Sequence, residues 1–339
     1  MAGITHLKEF KQPALRGMVD ETVEDKVSSI GDRFLPNENT YNTSFVYDII
    51  KTNKHIGAMI GTGSEPPVVD RDAVASKNGE IAKMGLKYIA TEEELLALHQ
   101  ARSTGEKSAM IEALAFKGIE LVQAIQRRVD VIKMEALTKG AFDYKKNGVQ
   151  VNLDFGIPAE NKVALSSGSD WATETHDVIG DLLDWTQAYE DDNGQSPDVV
   201  YMSREVQALL LKNAVIVTEA RGSNSGSNRV SVDELNSVLG GYGLPAVQVI
   251  TDRKVTVKNV YTGATEVIEF FPVNRLVMLS EGVGNFLYGP TVDNDFEPGI
   301  TLTAYDKGEP IESIIRSVAA GFPVVEKPSL IFHADVYTV

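Results

Sequence analysis

Cysteine is absent from this 339-residue chain. That excludes a disulfide framework and thiolate chemistry, and it fits a reducing compartment. Long hydrophobic runs are absent too. None approaches the roughly 20 residues of a membrane span, and the opening MAGITHLKEFKQPALRGMVDE lacks the apolar centre of a signal peptide. The expectation is a chain made in the cytoplasm, with no membrane partner. Positive charge is in deficit: 32 Lys and Arg stand against 48 Asp and Glu, a net charge of −16. Nucleic-acid or anionic-membrane binding needs a basic face, which this balance argues against. An acidic surplus signals solubility and mutual repulsion instead.

Local signatures of chemistry are missing as well. The five histidines, at 6, 55, 99, 176 and 333, sit in five contexts, none at metal-ligand spacing. STGEKSA (103–109) lacks the first glycine of a phosphate loop and reads as a kink between helices. GTGSEP (61–66) has no third glycine and no strand before it. YEDDNG (189–194) and DNDFE (293–297) lack the ligand register of a calcium loop and read as solvated turns. There is no GxSxG and no HExxH. Trp171 and Trp185 are expected in packing roles. No catalytic, cofactor-binding or metal-ligating residue is assigned, and no cofactor is expected.

What is present is architecture. Apolar content of 43% and charged content of 24% are those of a globular protein, and the length allows one large or two ordinary domains. Residues 1–50 read as an irregular arm, broken at Pro13 and Pro36, with one strand-like piece, SFVYDII (44–50). Residues 51–90 are rich in Gly, Pro and Asp without a period and read as an extended excursion, a two-stranded arm ending at KYIA (87–90). Thr91 and Glu94 form a capping box for a short helix to about Arg102. A long helix follows from about Glu106 to Lys139 and stops at Gly140. Its stripe is Ile111, Leu114, Gly118, Leu121, Ile125, Val129, Ile132 and Ala136; Lys117, Glu120, Arg127, Arg128 and Lys133 mark the polar face. At 1.5 Å per residue it spans roughly 50 Å.

AFDYKK (141–146) then pairs with VQVNLDF through Asn147-Gly148, the strongest two-residue hairpin signal. Beyond Pro158 come an amphipathic helix over 175–192, a buried strand DVVYM (198–202), a helix capped by Ser203, and a helix with a Ser231/Glu234 box ending at Gly240-Gly241. Short strands follow from 246 onward, closing with IESIIRSVAA (311–320) and SLIFHADV (329–336). The balance is α+β, with no internal repeat.

Several segments together resemble one family. KMEALTKGAF, VNLDFG, NKVALSSGSDWATETHDVIGDLLDW and QSPDVVYMSREVQALLLKN, across about 130–215, are similar to tailed-bacteriophage major capsid proteins of the lambda protein E family. FLYGPT (286–291) and ESIIRSVAAGFPVVEKPSLIFHADV (312–336) resemble its closing strands; about 220–275 matches nothing that can be placed. The resemblance implies the Hong Kong 97-type capsid fold: N-terminal arm (1–50), extended loop (51–90), peripheral domain with spine helix and hairpin (91–174), axial domain (175–310), and C-terminal strands returning to the peripheral domain (311–339). It implies a structural, non-enzymatic subunit of hexamers and pentamers in an icosahedral virion shell. The shell would enclose double-stranded DNA without sequence-specific contact and assemble in the host bacterial cytoplasm. Expected partners are further copies of the chain, a separate scaffolding protein, a decoration protein and a portal. Two other readings stay open at this point: a cellular encapsulin-like nanocompartment shell, and a soluble acidic hydrolase with a site assembled from scattered residues.

Overall fold

A computed structural model describes residues 3–42, 44–51, 73–80, 82–101, 103–146, 149–223, 226–259 and 262–339. In chain order, helices α1 (Gln12–Glu24) and α2 (Ile30–Phe34) precede strands β1 (Asn37–Asn39), β2 (Ser44–Lys51), β3 (Ala73–Glu80) and β4 (Ala82–Ala90). Helices α3 (Glu92–His99) and α4 (Thr104–Lys139) lead into strands β5 (Ala141–Lys146), β6 (Val149–Asp154) and β7 (Lys162–Ala164). Then come α5 (Val178–Asn193), β8 (Val199–Met202), α6 (Arg204–Lys212), α7 (Ala214–Arg221) and α8 (Val232–Gly241). Strands complete the chain: β9 (Val247–Val249), β10 (Lys254–Lys258), β11 (Thr265–Glu269), β12 (Arg275–Leu279), β13 (Gly284–Gly289), β14 (Thr301–Gly308), β15 (Ile311–Val325) and β16 (Ile331–Asp335). The chain divides into two compact units.

The first unit takes Met1–Phe45, Asn78–Lys133 and Asn285–Val324. Its sheet runs β1-β13-β15-β14, with β4 also on β15. Ile4, Phe10, Leu15, Val19, Leu98, Val122, Leu302 and Ile315 form a buried cluster. Here the arm departs from expectation. Residues 12–24 are a regular helix, because Pro13 occupies the first helical positions, where its missing N–H costs nothing and its fixed φ favours the turn. Leu15 and Val19, one turn apart, are the buried face. The stripe of α4 is present in its second half, where Ile125, Val129, Ile132 and Ala136 are buried; Ile111, Leu114 and Leu121 are only partly buried, and Val122, next to Leu121 and not in the expected stripe, is fully buried. Gly118 lies in it because a Cβ there would come 3.1 Å from Leu302 Cδ2, so glycine lets the helix approach β14. KYIA ends β4, and β4 pairs with β15, Ile89 opposite Ile314, rather than with the excursion. β3 pairs instead with β2, which contains SFVYDII. The rest of the expected excursion, residues 52–72 and 81, lies outside the described residues.

The second unit takes Val46–Lys77, Met134–Gly284 and Val325–Val339. Its sheet runs β7-β16-β12-β8-β9. β8 is buried at all four positions, as expected of an apolar run bounded by turns. Trp171 stacks on Trp185 with ring centroids 5.7 Å apart, and Trp185 meets Phe332 at 6.0 Å, so both tryptophans are core residues. α4 ends at Gly140, whose φ of 69° favours glycine and whose Cβ would strike Ile157 at 2.5 Å. β5 and β6 pair antiparallel in the expected register; the Asn147-Gly148 turn lies outside the described residues. The stretch 220–275 holds α8, β9 and a two-stranded sheet, β10-β11. α7 and β14 were not expected from the sequence.

Candidate assembly surfaces and the charged core

The charges with the most structure around them lie in the first unit, where the α1–α2 connection meets α4. Lys133 Nζ donates to Asp32 Oδ1 at 2.6 Å and to Asn37 Oδ1 at 2.7 Å, and none of the lysine side chain is exposed. Lys26 Nζ bridges Asp32 at 2.8 Å and Asp130 at 2.6 Å. Asp32 also closes the capping box of α2, accepting from the Ser29 N–H at 3.0 Å. The Phe286 ring lies 5.4 Å from Lys133 Nζ. Burial disfavours the Asp32 carboxylate, but the hydrogen bonds from Lys133, Lys26 and Ser29 outweigh it and hold the carboxyl far below the usual carboxylate range. Burial pulls the Lys133 ammonium down while Asp32 pulls it up. Two lysines and two aspartates therefore form a quartet of zero net charge that ties the arm to the long helix. Lys133 is a correction to the sequence reading, which put it on the polar face. It turns inward because an anion waits for it on α2.

A second ionic anchor replaces one of the expected solvated turns. Asp293 accepts from Lys83 of β4 and from Arg316 of β15, and the acids of DNDFE are thus divided by role. Asp293 is held below the usual carboxylate range, by the Lys83 hydrogen bond first and by Arg316. Asp295 and Phe296 then adopt left-handed backbone, with φ of 53° and 66°. The turn is closed by Phe296 N–H to Thr291 C=O at 2.9 Å, and it leaves Val292 and Phe296 in solvent. Exposed apolar side chains held by a tied-down loop are what a contact surface offers. YEDDNG is likewise no turn. It is the last turn of α5, capped by Gly194 in left-handed backbone, with Tyr189 buried and its hydroxyl 2.8 Å from Ser280 Oγ. Beside the quartet a groove of about 720 Å³ opens between α1 and the sheet, lined among others by Arg16, Asp20, Val23, Tyr288 and Pro298.

Chemistry finds less support. Among the described residues no group of three or more His, Cys, Asp and Glu is placed to hold a metal ion. Asp181 accepts from Trp171 Nε1 at 2.8 Å and faces His176 Nε2 at 2.7 Å. That is the base-and-orienter half of a nucleophilic triad, and among the described residues no hydroxyl bonds to the imidazole. His333 is buried with Nε2 at 2.7 Å from the Leu137 carbonyl, and burial, with Arg275 and Lys162 nearby, pushes its pKa down to about 4. STGEKSA forms the start of α4, with Ser103 Oγ accepting from the Glu106 N–H at 3.1 Å in the manner of an N-cap. Among the described residues no helix is long and apolar enough to cross a membrane.

Known proteins share the fold and identify a family. In fold the chain is similar to a crystal structure assigned as the capsid protein of a prophage from E. coli CFT073, at a TM-score of 0.62 and 16% identity, covering 96% of this chain and 99% of that one. It is also similar to a phage-related protein from Bordetella bronchiseptica RB50, at 0.55 and 10% identity, covering 94% and 96%. No curated protein matches the chain. The sequence profile of the family described as phage major capsid protein E matches residues 21–304. With that match over most of its length, the chain belongs to the phage major capsid protein E family.

Proposed function

We propose that this capsid subunit closes an icosahedral shell as hexamers and pentamers, and that the shell holds double-stranded DNA. The observation that carries the reading is the family match over residues 21–304, which spans the long helix and most of both sheets. In this reading 1–50 is the arm, 51–90 the loop laid over a neighbouring copy, 91–174 and 311–339 the peripheral domain, and 175–310 the axial domain. A separate scaffolding protein directs closure; a decoration protein and a portal complete the particle; assembly takes place in the host cytoplasm. The net charge of −16 suits a container that must release its contents, because DNA does not adhere to an acidic wall.

The test is particle size. Purified protein, at high concentration and with its scaffolding partner, is expected to form closed hollow shells by light scattering and negative-stain microscopy. A monodisperse monomer under all those conditions sinks the reading.

A further inference from the structure

The β10-β11 hairpin is a sheet of two strands, and among the described residues neither strand has another partner. Its register sets Lys254 opposite Glu269, Thr256 opposite Val267 and Lys258 opposite Thr265. Backbone bonds join Asn259 to Ala264 and Phe270 to Arg253. Antiparallel alternation then turns the N–H and C=O of Lys254, Thr256 and Lys258 to the outer side of β10, and those of Thr265, Val267 and Glu269 to the outer side of β11. One of these is taken: the Glu269 carbonyl accepts from Lys139 Nζ at 2.7 Å. The same six side chains are exposed, Val267 among them at 55%. On the other face Val255, Val257 and Ile268 are only half-buried. An isolated two-stranded sheet with so little cover is marginal by itself.

The two edges differ in sign. Lys254 and Lys258 give β10 two cations and no anion; Glu266 and Glu269 give β11 two anions and no cation. Arg253, just before β10, is already bridged to Glu269 at 3.0 Å and to Glu205 at 3.4 Å. Charged edges ordinarily keep strands apart. With opposite signs on the two edges, like edges repel and unlike edges attract. The geometry points to a heterologous contact: we propose that β10 of one copy pairs antiparallel with β11 of the next, so that the hairpins of a capsomer continue one another around a ring. A head-to-tail contact of this kind closes whenever its rotation does. The proposal rests on the reading of the chain as a ring-forming shell subunit, and the partner is a second copy of this chain.

Amide hydrogen exchange on the unmodified protein is the first test. The N–H groups of Thr256 and Val267 are expected to exchange more than about tenfold more slowly in shells than in free subunits. Equal rates in shells that have formed overturn this pairing and leave the shell reading intact; failure to form shells at all overturns that reading instead. Thr256→Pro removes one outward N–H and leaves the ladder within the hairpin whole. It is expected to raise the critical assembly concentration about tenfold in a folded subunit, from the loss of a bond of ordinary strength; an unchanged concentration counts against the pairing. A third arm exchanges the charges, Arg253→Glu, Lys254→Glu and Lys258→Glu with Glu205→Lys, Glu266→Lys and Glu269→Lys, so that the Arg253 bridges to Glu205 and Glu269 are kept with their signs reversed. This keeps the Lys254–Glu269 complementarity within one hairpin, so the variant is expected to assemble alone but to segregate from unmodified subunits, as read by energy transfer between labelled populations. Free mixing shows that the charges serve only the hairpin that carries them.

Discussion

Removing the ammonium of Lys133 strands a buried carboxylate. Lys133→Met keeps most of the stem's volume and deletes the charge, so its effect isolates the ion pair. Asp32 retains Lys26 at 2.8 Å, which sets the expected loss near the bottom of the range for a broken buried pair, about 3 kcal/mol. Urea denaturation of unassembled subunits by circular dichroism measures it. His333 gives a different signature, in pH. Its folded pKa lies near 4 against an ordinary imidazole value of about 6.5, so the unfolded chain takes up the proton first as the solution is acidified. Stability is then unchanged above about 6.5 and falls between 6.5 and 4, by about 3 kcal/mol over the whole window. Asp32 is shifted downward as well, and because an ordinary carboxyl already titrates below His, its contribution is lost only lower, through and below the ordinary carboxylate range. His333→Gln should flatten the upper part of the profile and leave the lower part. Neither residue was legible as special in the sequence. Lys133 falls at a polar place in a helical stripe, and the anion that draws it inward is 101 residues away along the chain. His333 sits in an apolar strand pattern, where burial could be read but its bond to Leu137 could not.

Ile125 shows how far an element can be read from periodicity. The steps of three and four in the stripe put it at the centre of the buried face of α4, and it is 2% exposed. Ile125→Asp buries a charge with no designed partner there. A loss of more than about 4 kcal/mol is expected, seen as insoluble or unfolded subunits in expression and sedimentation; a variant that assembles normally would mean the face is wrongly assigned. Caps were equally legible. Glu94 accepts from the Thr91 N–H at 3.0 Å, and Ser231 with Glu234 forms a reciprocal box at the start of α8. These signals are local, and so they survive without tertiary context. α1 is hidden from a local reading because Pro13, a breaker inside helices, here serves as a start. The partner of β4 was missed for another reason. Its strand Ile311–Val325 lies more than 200 residues on, and nothing in a local pattern of two names the strand across the gap. Asp293 was misread likewise, since Lys83 and Arg316 come to it from two distant strands.

For the whole molecule the governing quantity is charge. The quartet of Lys26, Asp32, Asp130 and Lys133 sums to zero, so the surplus of −16 belongs to the rest of the chain, and assembly must bring many such bodies together. The Debye length falls from about 30 Å at 0.01 M to about 10 Å at 0.1 M, and repulsion between bodies is cut over that range. Attraction between charged edges is screened as well, but exposed pairs contribute only about 0–1 kcal/mol each. The critical assembly concentration is therefore expected to fall with sodium chloride through this range at neutral pH. A steady rise would put specific ion pairs in control. The order of the strands has a consequence of another kind, in the time of synthesis. In the first unit β1 and β4 wait for β13 and β15, and in the second the position between β7 and β12 is filled by β16. A ribosome that stops before residue 311 therefore releases a polypeptide with both sheets open and neither hydrophobic interior closed. Such fragments present no finished surface to a growing particle, so the topology itself proofreads translation, admitting only polypeptides read through to their closing strands.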